Sequence, residues 1–393
     1  MHGNHRSARW RDFQKALLGC AAVCLQVLAG PPAAAQETPR GPVVYIGTGG
    51  PREGPALFAA RLDTETGHLT SLGVAAQIPQ PNWSVYDPKR SILYTASELG
   101  DDGKSPGYIH SSSVDRKTGA LKDLGKVAVG GGVTYVTRDE KLNTLFSGSY
   151  GDAQVAALAI QSDGTLASPA SVQKETGSGP SPRQASAHTH GVTVDPTKRW
   201  VLTADMGNDH VFVYRFDAST RALTPGPAPS VAFPAGAGPR HLVFTANGRY
   251  AFVNTELSAD IHSFSWNAKD GTLTPLEITH MSSPGFTGMK NSAEMALSAD
   301  GRFLYLSSRS ENSLIVYSVD QNAGKLSEIQ RTGAVGNFPW SFSIDPTGRW
   351  MLVANERSNT VNVLKVDRST GLLSPTAEAI EVPTPVAVTF GPD

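Results

Sequence analysis

The chain has 393 residues but only two cysteines, Cys20 and Cys24, and both fall within the first 35 positions. Without that segment the protein has no disulfide, no thiolate nucleophile and no cysteine metal site. Charge is modest too. Asp, Glu, Lys and Arg make up 18% of residues, the formal net charge is −1, and no basic run is long enough to form a nucleic-acid surface. The apolar stretch from Ala16 to Gly30 is about 15 residues long, too short to span a bilayer comfortably. Beyond it, no apolar pattern keeps a helical period over a long window.

What the N-terminus does contain is an ordered series. Arg6, Arg9, Arg11 and Lys15 precede the apolar stretch, and Ala33-Ala34-Ala35 follows it. Positive, apolar and small residues in that order read as an export signal over residues 1–35, cut before Gln36. A disordered N-terminus or a membrane anchor is the plainer alternative. Leu17-Leu18-Gly19-Cys20 has the outline of a lipoprotein box, but Lys15 leaves no apolar segment ahead of the cysteine. Removing four basic residues and one acid takes the net charge from −1 to −4. The expected organisation is a signal at 1–35, a short linker at 36–42 and one domain at 43–392. The mature protein is then periplasmic or extracellular, free of the membrane and monomeric.

Glycine and proline are plentiful, at 39 and 27 residues, which suits short strands and tight turns. The turns recur in a fixed phrase. Asp-Pro-x-Gly-Arg or a close variant precedes an apolar strand, a small polar cluster, a second strand and a turn near Asp-x-x-Thr-Gly-x-Leu. Copies begin at Asp87-Pro88, Asp195-Pro196, Ala246-Asn247-Gly248-Arg249, Ala299-Asp300-Gly301-Arg302 and Asp345-Pro346. A degenerate copy sits at Arg138-Asp139-Glu140-Lys141. Strands such as Thr360 to Val366 are short and β-branched, bounded by Gly, Asn, Asp or Ser. Units of about 50 residues with four strands each describe propeller blades. Val43 to Thr48 starts in mid-phrase as a second strand, and Val386 to Pro392 ends as a first strand. The C-terminal strand therefore completes the blade begun at Val43. The prediction is an all-β, seven-bladed β-propeller with four-stranded antiparallel blades, closed by pairing of its N- and C-terminal strands. A six-bladed ring is the rival, because the Asp139 unit is degenerate.

The whole domain, Val43 to Phe390, resembles the seven-bladed lactonase family, which includes propeller-type 6-phosphogluconolactonases and fungal carboxy-muconate cyclizing enzymes. The resemblance rests on short motifs in order. They are Tyr45-Ile46-Gly47-Thr48, Gly177-Ser178-Gly179-Pro180, Arg183-Gln184, Ala187-His188-Thr189-His190 and Ala204 to Asp209. Gly238-Pro239-Arg240-His241, Asn254-Thr255-Glu256-Leu257 and Ser307-Ser308-Arg309 follow. The resemblance implies lactone chemistry, with the family's His, Glu and two Arg falling on His190, Glu256, Arg240 and Arg309. No cofactor or metal is implied.

The repeat itself suggests a shared pocket. Glu98, Tyr150, Asp205, Glu256, Arg309 and Glu356 follow the second strands of their units by a similar step. His188, His190, Arg240 and Trp340 sit just before first strands. Both positions face one end of the ring near its axis. Ester opening needs a base for water and a cation for the oxyanion. His190 or Glu256 suits the first task, Arg240 and Arg309 the second. His188, Asp205, Tyr150, Glu98, Arg183, Trp340 and Glu356 would shape the site around a small lactone or sugar derivative. The blander readings stay open. His188 and His190 have a metal-ligand spacing but no evident third ligand. Asp205 suits a turn cap, and Glu256 with Arg309 suits a structural ion pair. Trp83, Trp200, Trp266 and Trp350 suit packing between blades. Where the family often has Arg and Asn-Gln, this chain has Phe338-Pro339-Trp340 and Asn355-Glu356. That exchange disfavours a phosphorylated substrate, as does export. A non-catalytic exported propeller that binds a small molecule or protein is the other functional class.

Overall fold

The computed structural model describes residues 41–49, 56–99 and 105–393. The expected signal at 1–35 and residues 36–40 of the linker lie outside the described residues. The described chain forms seven four-stranded antiparallel sheets. Blade 1 combines Val43–Thr48, Leu57–Leu62 and Leu69–Ala76 with the C-terminal strand Pro385–Phe390. Blades 2 to 7 take residues 81–129, 133–174, 189–232, 239–280, 292–333 and 339–381 in turn. The degenerate Asp139 unit is a full blade, so the six-bladed alternative is excluded. Val44 stands opposite Phe390 and Ile46 opposite Val388, which closes the ring and removes an open edge.

The repeated turn forms because its aspartate is a cap. Asp345 Oδ1 accepts the N–H groups of Arg349 at 2.8 Å and Trp350 at 2.7 Å, and Oδ2 accepts that of Thr347 at 3.0 Å. Asp195 does the same for Thr197, Arg199 and Trp200. An aromatic on the second strand then locks onto the next blade's outer turn. Trp350 Nε1 donates to Thr64 O at 2.9 Å, Trp200 Nε1 to Ala268 O at 2.8 Å and Tyr45 Oη to Gly119 O at 2.8 Å. Where that outer turn carries glycine, the aromatic packs directly against it. At Gly271, with φ +70°, an added Cβ would lie 2.6 Å from the Trp200 ring.

The core sits between adjacent blades rather than in one centre. Trp200, Leu202 and Val213 of blade 4 pack on Leu242, Val253 and Trp266 of blade 5. Trp200, Trp266 and Trp350 thus hold blades together, as expected. Trp83 also bridges two blades, but from an innermost strand, where it faces the axis and stacks on Tyr135.

Candidate active site

All seven innermost strands carry a β-bulge near their start. In blade 1 the residue skipped by the pairing is Val386, and in blades 2 to 7 the skipped residues are Asn82, Thr134, His190, Arg240 and Trp340, with both Ala293 and Glu294 in blade 6. A bulge re-aims its extra side chain out of the regular alternation. The residue just past the second strand of the same blade lies sixteen positions on. Two such pairs bond directly. Asn82 Nδ2 donates to Glu98 Oε2 at 2.8 Å, and Arg240 Nε donates to Glu256 Oε2 at 2.9 Å, each across sixteen residues. Tyr150, Arg309 and Glu356 occupy the matching place in their blades.

Asp205 does not. It is the last residue of the strand Trp200–Asp205, and Met206 takes the matching place. Asp205 Oδ1 turns back to accept the N–H groups of His188, Gly207 and Asn208 at 2.8 to 3.0 Å. The structure thus replaces the expected pocket wall with a turn cap. The cap rests on a second acid. Glu175, at the base of the loop after blade 3, accepts hydroxyls of Thr189 at 2.7 Å, Tyr214 at 3.0 Å and Thr203. Burial, with Asp205 beside it, raises the Glu175 carboxyl well above its ordinary range.

Glu256 is the hub of the mouth. Its Oε2 meets Arg240, while its Oε1 lies 2.8 Å from Arg309 Nη2 and 2.6 Å from Arg183 Nη1. The Oε1 contacts are close ion pairs without good hydrogen-bond alignment. Burial alone would push this carboxyl up. Arg309, Arg240 and Arg183 together hold it well below the usual carboxylate range. Arg240 and Arg309 are fixed by Ala293 O at 2.7 Å and Ser292 O at 3.2 Å. Trp340 lies against the Arg309 guanidinium at 4.5 Å. Burial lowers Arg309 to about 10, against the pull of Glu256, so it stays charged at neutral pH. Three guanidinium groups around one carboxylate leave a local surplus of two positive charges.

His190 stands next to this cluster. Its ring is 5.2 Å from that of His241, which in turn lies 3.2 Å from Arg240 Nη1. Burial, then Arg240, His241 and Arg309, holds His190 well below the ordinary imidazole range and keeps it neutral. Its enclosed Nδ1 has no hydrogen-bond partner among the described residues, and neither has the enclosed Nε of Arg309. His188 points elsewhere. It stacks on Tyr150 at 4.1 Å and bonds Tyr150 O through Nδ1 at 2.9 Å. The bulge between Thr189 and Gly191 breaks the alternation that would align the two imidazoles. Among the described residues no three His, Cys, Asp or Glu side chains converge as a metal set would.

Arg183 reaches the cluster from the loop after blade 3. The short 3-10 helix Pro182–Gln184 is capped by Ser181. Gln184 ties it down through Met206 O at 2.8 Å and Asp209 Oδ1 at 2.7 Å. Arg183 is 46% exposed and covers Glu256 from outside. Glu356 opens the 3-10 helix Glu356–Ser358 on the rim and forms no ion pair with the cluster. Two residues went unassigned in the sequence, His241 and Glu294. His241 lies in a quoted motif, and only its neighbour Arg240 drew attention. The bulge spacing is the signal that would have found both, since each sits in or just after its strand's bulge.

Comparison with known proteins agrees with this architecture. The family described as "Lactonase, 7-bladed beta-propeller" matches residues 43–390. A 6-phosphogluconolactonase of Bacillus subtilis is 29% identical over 347 residues, covering 88% of this chain and 97% of its own. The crystal structure of a Pseudomonas aeruginosa periplasmic gluconolactonase superposes with a TM-score of 0.82 at 31% identity, covering 89% of this chain and 99% of its own. A Lactobacillus plantarum protein gives a TM-score of 0.82 at 29% identity, over the same shares.

Proposed function

Because the chain belongs to the seven-bladed β-propeller lactonase family, we propose that it hydrolyses a small cyclic ester at the channel mouth. The observation that carries this reading is the presence of two unsatisfied buried groups around the Glu256 cluster. His190 Nδ1 is a neutral imidazole nitrogen and Arg309 Nε a guanidinium donor, both without partners among the described residues.

In this reading His190 Nδ1 takes a proton from water as the oxygen attacks the lactone carbonyl carbon. Negative charge develops on the carbonyl oxygen and is met by Arg309, with Arg240 and the half-exposed Arg183 adding positive field. The ring C–O bond then breaks, and the leaving alkoxide receives the proton from His190. The product is the hydroxy acid. Glu256 is a poor base here, since three guanidinium groups hold it ionised and occupied. It acts as the anchor that keeps three cations at one point.

The substrate we propose is an unphosphorylated sugar lactone outside the cytoplasm. Acidic Glu98 and Glu356 on the rim, and the leader-like residues 1–35, support that choice. The Pseudomonas neighbour is a periplasmic gluconolactonase, the Bacillus relative a 6-phosphogluconolactonase. Proton release from gluconolactone and from 6-phosphogluconolactone decides between them. His190→Ala is expected to lower kcat about 10²- to 10⁴-fold. Full turnover by His190→Ala, or no turnover of any lactone by the wild type, would overturn the proposal.

A further inference from the structure

The central channel continues below the Glu256 cluster. Just past this level a second tier forms, with Trp83 on blade 2, Tyr135 on blade 3 and His241 on blade 5 directly after their bulges, and Glu294 as the second residue of the blade 6 bulge. Trp83 and Tyr135 stack with centroids 4.7 Å apart, and His241 meets them at 5.8 and 5.0 Å. Glu294 Oε1 lies 3.2 Å from His241 Nδ1 and accepts Met295 N–H at 3.1 Å. Below this tier a cavity of about 700 Å³ opens toward the opposite mouth, lined by Trp83, Tyr135, Glu294, Val243, Ser343 and Thr389 among others. His190, Arg240, Glu256 and Arg309 do not line it.

One polar atom of this tier belongs to a residue lining the cavity and has no partner among the described residues, Glu294 Oε2. Glu294 is buried, at 5% exposure. Buried polar atoms are nearly always satisfied, so an unpaired carboxylate oxygen in a cavity wall asks for a ligand. Such an oxygen only accepts, and a ligand hydroxyl can donate to it. The indole and phenol rings offer an apolar surface for the carbon face of a small ring. A quaternary ammonium ion would suit the rings and the charge, but it has no hydrogen to donate to that oxygen.

We propose that the lower channel is a second ligand site, separate from the Glu256 cluster. It takes a small neutral polyhydroxylated ring of monosaccharide size, entering from the opposite mouth. A hydroxyl donates to Glu294 Oε2, and the ring rests against Trp83 and Tyr135. The cavity is of the size that holds one small ligand.

Saturation-transfer NMR and titration calorimetry on the full chain, with D-glucose, gluconate and choline as probes, test this. D-glucose is expected to bind. The isosteric Glu294→Gln is expected to weaken it about ten-fold by removing the charge from that hydrogen bond. Ser343→Trp fills the cavity and is expected to abolish binding while lactone turnover stays within about two-fold, the sites being separate. Melting curves report whether each variant folds, and Glu294→Gln suffices if Ser343→Trp does not. Absence of glucose binding overturns the site. Choline or gluconate binding in its place overturns the ligand class. Glucose binding that survives both substitutions overturns the location.

Discussion

Glu256→Gln tests the central electrostatic claim most directly. The substitution keeps the shape of the side chain and removes its charge. Arg240 and Arg309 are each 3% exposed and cannot escape to water, whereas Arg183, at 46%, can swing outward. Two buried guanidinium groups therefore lose their counter-charge. Removing one partner of a buried ion pair costs about 3–5 kcal/mol. At about 2.1 cal/mol/K of unfolding entropy per residue, a ring of about 350 residues should melt about 4–7 °C lower. The pH dependence has a definite sign. The folded carboxyl is held below its unfolded value, so its contribution is present above the unfolded value and fades as pH falls toward the folded one. The gap between wild type and variant should thus narrow in acid. The variant also holds an unneutralised cationic pocket, so sulfate should raise its melting temperature more than that of the wild type. Calorimetry across pH, with and without sulfate, reads all three effects. A variant that melts with the wild type, or gains nothing from sulfate, would refute the account of Glu256 as the anchor of three cations.

Other consequences follow from single features. If His190 is the base, kcat/KM should stay flat from alkaline pH down past the ordinary imidazole value and fall only below it, because its folded value is depressed; a limb near pH 7 would point to another group. Arg183→Ala should raise KM more than it lowers kcat, since the side chain is exposed and reaches in from a loop; steady-state kinetics separate the two. Glu175→Gln mimics the protonated acid, so it should remove a stability loss that the wild type shows as pH rises from the ordinary carboxyl range through the raised Glu175 value, visible in a series of melts from acid to alkaline pH. Gly271→Ala should cost about 2–4 kcal/mol in denaturant unfolding, because a methyl at φ +70° collides with the Trp200 ring.

The ring was readable because its turns depend on particular side chains. Asp345 caps three backbone N–H groups, and Gly348 follows with φ +71°. Such positions tolerate few residues, so the phrase survives from blade to blade even where strand residues drift. Closure was readable because Val43 begins in mid-phrase. Within the site, Arg240 and Arg309 meet on the Glu256 carboxylate, and His190 stands beside them against His241. The finer assignments depended on where each strand stops. A one-residue error there exchanges one face for the other. That is why Asp205 was assigned to the pocket, although Met206 holds the place. His241 and Glu294 went unassigned for the same reason. Whether a residue belongs to the bulge or follows it decides which tier it enters, and bulges carry no fixed residue type.

The bulges also explain why so regular a fold can hold so uneven a site. Every blade spends its repeated turns and aromatic locks on the outer and lower parts of the ring. The bulged residue and its partner sixteen places later carry none of that structural duty. In blade 2 the pair is Asn82 and Glu98, an amide donating to a carboxyl oxygen at 2.8 Å. In blade 5 the same geometry holds Arg240 on Glu256 at 2.9 Å, and blade 6 adds Arg309 from the equivalent position. The backbone is shared, so the difference between a rim contact and a charged hub lies in the side chains alone. Only Arg183 comes from outside the repeat, on the loop that follows the least regular blade. The third cation is therefore the one part of the hub that the ring itself does not position, and also the one free to move when a ligand arrives.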